Sequence, residues 1–172
     1  MKIRNIIITL VSAIALLISA STVSFAKVVG DKIVLGAAVS LTGKYSSNGV
    51  HTQNGYNLAV ERINSMGGVT VGGKSYKFEI IYYDDESNSG RAAQLAERLI
   101  KQDGVQYMLG PYSSGLTKAM APVTEKYGIP MVEANGASRS LFTKGYKYLF
   151  AVLAPANLYL DVAIDLAVEK NG

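Results

Sequence analysis

Three observations predict an α/β fold with a parallel sheet and helices on both faces. Short apolar runs rich in β-branched residues recur at 32–39, 76–83, 105–109, 129–132 and 148–152. Between them lie longer stretches whose apolar residues repeat at helical spacing. Loops of Gly, Ser, Asn and Thr separate the two kinds of segment. Strands alternating with helices imply βαβ units and a parallel sheet. Right-handed crossovers then distribute the helices over both faces.

The first element is an address rather than part of the fold. Lys2 and Arg4 precede an apolar run at 6–18, and Ser24-Phe25-Ala26 offers small residues at a cleavage site. This is the three-part pattern of a secretory signal peptide. The run is too short for the roughly 20 residues of a membrane span. Cleavage is therefore expected after Ala26. The leader holds two of the 17 basic residues and none of the 13 acidic ones, so 15 basic and 13 acidic side chains remain, a net charge of +2. No Lys/Arg-rich tract survives, and nucleic acid is not an expected partner.

Residues 32–39 read as a buried strand. Residues 40–49 read as a loop, and from about Val50 to Ser65 the spacing of Tyr56, Ala59, Val60 and Ile63 marks one helix face. Gly67-Gly68 ends that helix. A second strand at 76–83 places Phe78, Ile80 and Tyr82 on one face, Ile81 and Tyr83 on the other. Residues 84–89 supply caps for a helix carrying Ala92, Leu95, Ala96, Leu99 and Ile100. A strand at 105–109, a turn at 110–115 and a helix at 116–127 follow. Next come a strand at 129–132, a small-residue loop at 133–140, a strand at 148–152 and a helix from Ala156 to Lys170. Gly172 reads as a truncation point.

Composition narrows the chemistry. Half the chain is apolar (49%), enough for a packed core, and 17% is charged. Cysteine is absent, which excludes disulfides, thiolate metal sites and thiol catalysis. His51 is the one histidine, so a histidine zinc cluster or a Ser-His-Asp triad has no basis, and a surface position is expected for it. Asp84-Asp85-Glu86 lacks a spaced calcium-loop pattern and reads as caps and dipole partners, with no metal. Gly68–Ser75 spells G-x-x-x-x-G-K-S, but it follows a helix and opens a strand, the reverse of a phosphate loop. Nucleotide binding is rejected on that context. No G-x-S-x-G elbow is present, so no enzyme activity is expected.

In an open parallel sheet, ligands bind beyond the carboxyl ends of the strands. The loops at 40–49, 84–90, 110–115 and 133–140 therefore define the functional edge. Ser113 and Ser114 precede a helix, where a serine either caps the first turn or helps free N–H groups hold an anion. Asn135-Gly136 marks either an ordinary turn or a close approach of backbone to ligand. Glu133 is placed to meet a cationic group or to pair locally.

These pieces together resemble the type I periplasmic solute-binding proteins of ABC importers, the leucine/isoleucine/valine-binding family. The resemblance rests on Val39-Ser40-Leu41-Thr42-Gly43, the run Asn54 to Asn64 with Gly67-Gly68, and Tyr83-Asp84-Asp85-Glu86-Ser87. It continues in Leu109-Gly110-Pro111-Tyr112-Ser113-Ser114 and Tyr127-Gly128-Ile129-Pro130-Met131-Val132. It implies the incomplete first lobe of a two-lobed protein that traps a small ligand by hinge closure. The implied organisation is a signal peptide at 1–26, a first ligand-binding lobe at 27–150, and a crossover into a second lobe at 151–172. The implied ligand contacts are Asn48, Tyr112, Ser113, Ser114, Asn135, Gly136 and Ala137, with Ser114 on the ligand's carboxylate. The sequence departs at Ala137, where amino-acid binders of the family carry a hydroxyl, so other small carboxylates and amides stand beside amino acids as ligands. The resemblance implies a periplasmic location and ABC permease subunits as partners, with no cofactor. A sensory domain of the same fold is the alternative.

Overall fold

The run Lys32–Val39 is apolar on both sides, and it becomes the central strand of the sheet. The structure is a computed structural model that describes residues 28–171, and the expected leader at 1–26 lies outside them. The elements are β1 (Val28–Val29), β2 (Lys32–Val39), α1 (Ser46–Ser65), β3 (Val69–Val71), β4 (Lys74–Asp84), α2 (Ser89–Lys101), β5 (Met108–Leu109), α3 (Ser114–Tyr127), β6 (Met131–Glu133), β7 (Leu149–Ala151) and α4 (Asp161–Asn171). Single 3-10 turns lie at Arg139–Leu141 and Ala156–Leu158.

The strands run β3-β4-β2-β5-β6-β7, and β1 adds to β2. All pairings among β4, β2, β5, β6 and β7 are parallel, while β1 and β3 pair antiparallel. In register, Val39 faces Asp84, Leu109 faces Val132 and Glu133 faces Ala151. The carboxyl ends of these strands therefore share one edge.

Alternation along the strands splits the sheet's side chains between two layers. On one face Val34, Ala38, Met108 and Met131 pack with Leu95 and Leu99 of α2 and Leu116 and Met120 of α3. On the other face lies α1. Its Asn64 side chain donates to the Phe78 carbonyl and accepts from the Phe78 N–H, each at 2.8 Å, standing in for a strand partner beyond the end of β3. Helices thus lie on both faces, as expected.

Several boundaries differ from the sequence reading. Helix α1 starts at Ser46, so Asn48 belongs to a helical first turn and not to a loop. This turn packs closely on the strand: a Cβ on Gly49 would stand 1.8 Å from the Ser40 carbonyl oxygen, so α1 presses on the end of β2. Strand β5 is trimmed to Met108–Leu109, and β6 begins at Met131. Ala59 is exposed, whereas Tyr56, Val60 and Ile63 of the expected face are half-buried. The phosphate-loop spelling falls on the β3–β4 hairpin, whose Gly72 and Gly73 both adopt positive φ, as a two-residue hairpin turn requires. Helix α4 begins at Asp161 after a separate 3-10 turn.

Candidate functional site

A cleft of about 410 Å³ opens at the carboxyl edge of the sheet. One wall is a single face of α1, formed by Asn48, His51, Thr52, Gly55 and Tyr56. Tyr112, from the loop after β5, forms the second wall, and Ala134 with Asn135, after β6, the third. Three chain segments far apart in sequence converge because their strands end on the same edge.

The walls are braced from behind. Tyr56 Oη donates to the Gly110 carbonyl at 2.8 Å, tying α1 to the end of β5. Burial drives the Tyr56 phenol well above its ordinary range, with Glu133 adding to the shift, so the phenol stays a neutral donor. The Tyr112 ring meets Tyr45 edge-on, with centroids 5.5 Å apart and planes at 63°. Under the third wall, Glu133 is fully buried. Its Oε1 accepts the N–H groups of Asn135 and Gly136. Its Oε2 lies 2.5 Å from Thr117 Oγ1. Burial raises the Glu133 carboxyl above the usual carboxylate range, against these contacts. Glu133 therefore pairs locally.

The N-terminus of α3 adjoins the cleft. Ser113 caps it, with φ 82° and ψ 144°, a region that side chains rarely adopt. Its Oγ accepts weakly from Leu116 N–H at 3.4 Å. Ser114 Oγ accepts from Ser138 N–H at 3.0 Å, which leaves its own proton free to donate. The acidic run at 84–86 holds loops together. Asp84 accepts from Leu41 N–H, Thr42 N–H, Thr42 Oγ1 and Glu86 N–H. Asp85 accepts from Ser40 Oγ and Ser87 N–H. Glu86 pairs with Arg91 at 3.2 Å. Among the described residues, no group of three His, Asp or Glu side chains is placed to hold a metal.

Of the residues singled out in the sequence, Asn48, Tyr112 and Asn135 line the cleft. Ser113, Ser114, Gly136 and Ala137 are not among its lining residues. The Gly136 N–H is taken by Glu133, and the Ala137 carbonyl accepts from Ala156 N–H. His51, Thr52, Gly55, Tyr56 and Ala134 escaped the sequence reading. His51 is exposed, as expected, but on the cleft wall. The spacing of positions 48, 51, 52, 55 and 56 is one helical stripe, a signal visible in the sequence once the helix starts at Ser46.

Comparison with known proteins gives a consistent picture. A family model described as periplasmic binding protein matches residues 32–172. The leucine-, isoleucine-, valine-, threonine- and alanine-binding protein of Pseudomonas aeruginosa is 26% identical over 140 residues, covering 81% of this chain and 36% of that protein. The branched-chain amino acid transporter substrate binding protein LivJ from Streptococcus pneumoniae, solved with isoleucine, superimposes with a TM-score of 0.65 at 28% identity, over 78% of this chain and 39% of that one. An ABC transporter solute binding protein from R. palustris, solved with 4-hydroxybenzoate, gives 0.66 at 28% identity, over 82% and 37%. The chain thus spans little more than a third of these relatives, all substrate-binding proteins and not enzymes.

Proposed function

We propose, because this chain belongs to the periplasmic binding protein family, that it carries the first ligand-contacting lobe of an extracytoplasmic receptor for an ABC importer. The observation that carries the reading is the cleft at the carboxyl edge, where α1, Tyr112 and Asn135 converge beside the N-terminus of α3. Residues 27–150 form that lobe, and 151–172 lead toward a second one. The ligand is a small carboxylate, an amino acid or a related acid or amide. Its carboxylate is received at the α3 N-terminus by Ser114, with Ser113 holding the turn. Asn48 and Asn135 donate and accept from opposite walls, and Tyr112 supplies an aromatic surface. Gly136 and Ala137 keep the third wall small. Isoleucine and 4-hydroxybenzoate, held by two of the relatives, share a carboxylate and differ in everything else, so they bracket the choice. The loaded receptor delivers its ligand to permease subunits, after export and cleavage following Ala26.

The test is thermal shift and calorimetry on the exported protein carrying this chain, with leucine, isoleucine, 4-hydroxybenzoate and a set of small acids. Stabilisation by at least one carboxylate, lost in the matching alcohol, supports the reading. No stabilisation by any of them overturns it.

A further inference from the structure

Thr117 Oγ1 stands 2.9 Å from the Ser113 carbonyl oxygen and 2.5 Å from Glu133 Oε2. A threonine hydroxyl owns one proton, while a carbonyl oxygen and a carboxylate own none. With Glu133 ionised, three oxygens in a row would share one hydrogen, and one contact would have no proton in it. A helical threonine ordinarily donates to the carbonyl four residues back, here Ser113. That leaves the Glu133 contact lacking a hydrogen. Oε1 is engaged by the Asn135 and Gly136 N–H groups. A proton on Oε2 satisfies every atom in the row. Complete burial disfavours the charged form as well.

We propose that Glu133 is a positioning residue that works as a neutral carboxylic acid, donating to Thr117 while gathering the Asn135 and Gly136 amides, and so couples the two ligand-facing loops. The proposal rests on the cleft being the ligand site. One unbroken chain of hydrogen bonds then runs from the Asn135 loop through Glu133 and Thr117 to Ser113, the strained residue before Ser114. A neutral Glu133 also places no negative charge behind an anionic ligand. The titratable group facing it is Tyr56 on α1. Helix α3 presents Thr117, the end of β5 presents Gly110, and the strand beside it presents Ala151, all uncharged.

Carboxyl carbon NMR on the exported protein carrying this chain reads the proton directly, with the Asn135 and Gly136 amide resonances as a second reporter. An ordinary glutamate carboxyl titrates near about 4.3. Glu133 is expected to titrate above that value, and the two amides are expected to follow its midpoint. Thr117→Val gives a decisive sign. If Glu133 donates to Thr117, removing that acceptor moves the midpoint down; if Thr117 donates to a carboxylate, it moves up. Glu133→Ala should lose hydrogen-exchange protection at both amides, and Glu133→Gln, whose amide can donate to Thr117, should restore it. Titration of Glu133 at the ordinary glutamate value, or an upward shift in Thr117→Val, overturns the proposal even if isoleucine or 4-hydroxybenzoate binds. Late titration with a downward shift upholds the neutral acid. Binding of either probe that weakens as pH rises through the same midpoint then upholds the coupling, and binding of a probe with no such dependence refutes it. If neither probe nor any other acid binds, the ligand reading fails while the proton assignment stands.

Discussion

Gly110 lies so close to Glu133 that a Cβ on it would stand 2.3 Å from Oε2 and 3.0 Å from the Glu133 Cα. Gly110 directly follows β5 and Glu133 ends the neighbouring β6, and the missing side chain is what lets a full carboxyl group fit beneath the cleft floor.

Gly110→Ala should therefore destabilise the chain. The clashing carboxyl is held by Thr117 and two amides and cannot swing aside. Overpacking of this kind costs about 1–3 kcal/mol. Gly115→Ala is the control, since its Cβ would meet only Ser113 Oγ at 3.8 Å. A helical Gly→Ala change without a clash stabilises by about 0.4–1 kcal/mol. Urea unfolding of both variants gives the comparison, and equal midpoints would refute the steric argument.

Ser113 and Ser114 should separate by function. Ser113→Gly releases a backbone strain of order 1–3 kcal/mol and loses a weak cap, so stability should rise or hold. Ser113→Ala keeps the strain and loses the cap, at about 1 kcal/mol. Ser114→Ala removes a hydroxyl free to donate to a charged ligand group, a bond worth about 1.5–3 kcal/mol, so affinity should fall roughly 10- to 150-fold. It also removes the acceptor of Ser138 N–H, adding a modest loss of stability. Melting and ligand titration of the three variants check the pattern. Unchanged affinity in Ser114→Ala would reduce this turn to a cap.

What could be read in the sequence follows from what each element depends on. Helix α2 and strand β2 were legible because local spacing dictates them, Asn88 capping the one and apolar runs filling the other. The start of α1 was not. Tyr45 provides no side-chain cap and Ser-Ser-Asn-Gly reads as loop, while the close packing of this turn on Ser40, which Gly49 permits, is a tertiary contact that local spacing does not reveal. That boundary left only Asn48 outside the helix; His51, Thr52, Gly55 and Tyr56 already lay in the expected helix from Val50, and their stripe was passed over because it is largely polar while the periodicity was followed through apolar positions. The loops holding Tyr112 and Asn135 were legible because the edge loops of a parallel sheet follow from topology, whereas Tyr112 as an individual contact came only from the family resemblance. The place of Glu133 was not, because counting protons among Ser113, Thr117 and Glu133 requires their positions.

Stability should depend on pH from two directions. For Asp84, burial acts to raise the carboxyl. It is outweighed by the Thr42 hydroxyl and the Glu86, Leu41 and Thr42 N–H groups, which hold it below the usual range. Its contribution is present above the unfolded value, about 3.9, and is lost as pH falls through the lower folded value. Burial leads in raising Asp85 and Glu133, so their effect is opposite: stability declines as pH rises from the unfolded values through the raised folded ones. Asp84→Asn should flatten the acid limb of a denaturation-midpoint profile, and Glu133→Gln the other limb. A Glu133→Gln profile that matches the parent throughout would contradict this assignment.

The outer surface makes the last prediction. Helix α4 carries Asp161, Asp165 and Glu169 on one stripe, four residues apart, and Val162, Ile164, Leu166 and Val168 elsewhere, all exposed. A helix apolar over most of its circumference is one that packs against something. On the sheet face shared with α1, a second groove of about 410 Å³ is lined by Ile33, Leu35, Val71, Phe78 and Val132. Apolar surface on this scale drives association at roughly 25 cal/mol per Å² buried. The 172-residue chain should therefore associate reversibly with rising concentration. Ile164→Lys with Val168→Lys should weaken association if α4 provides the contact, and Val71→Lys should weaken it if the groove does. Sedimentation velocity over a concentration series distinguishes the two surfaces. A parent chain that stays monomeric at every concentration would show that neither surface is sticky enough to matter.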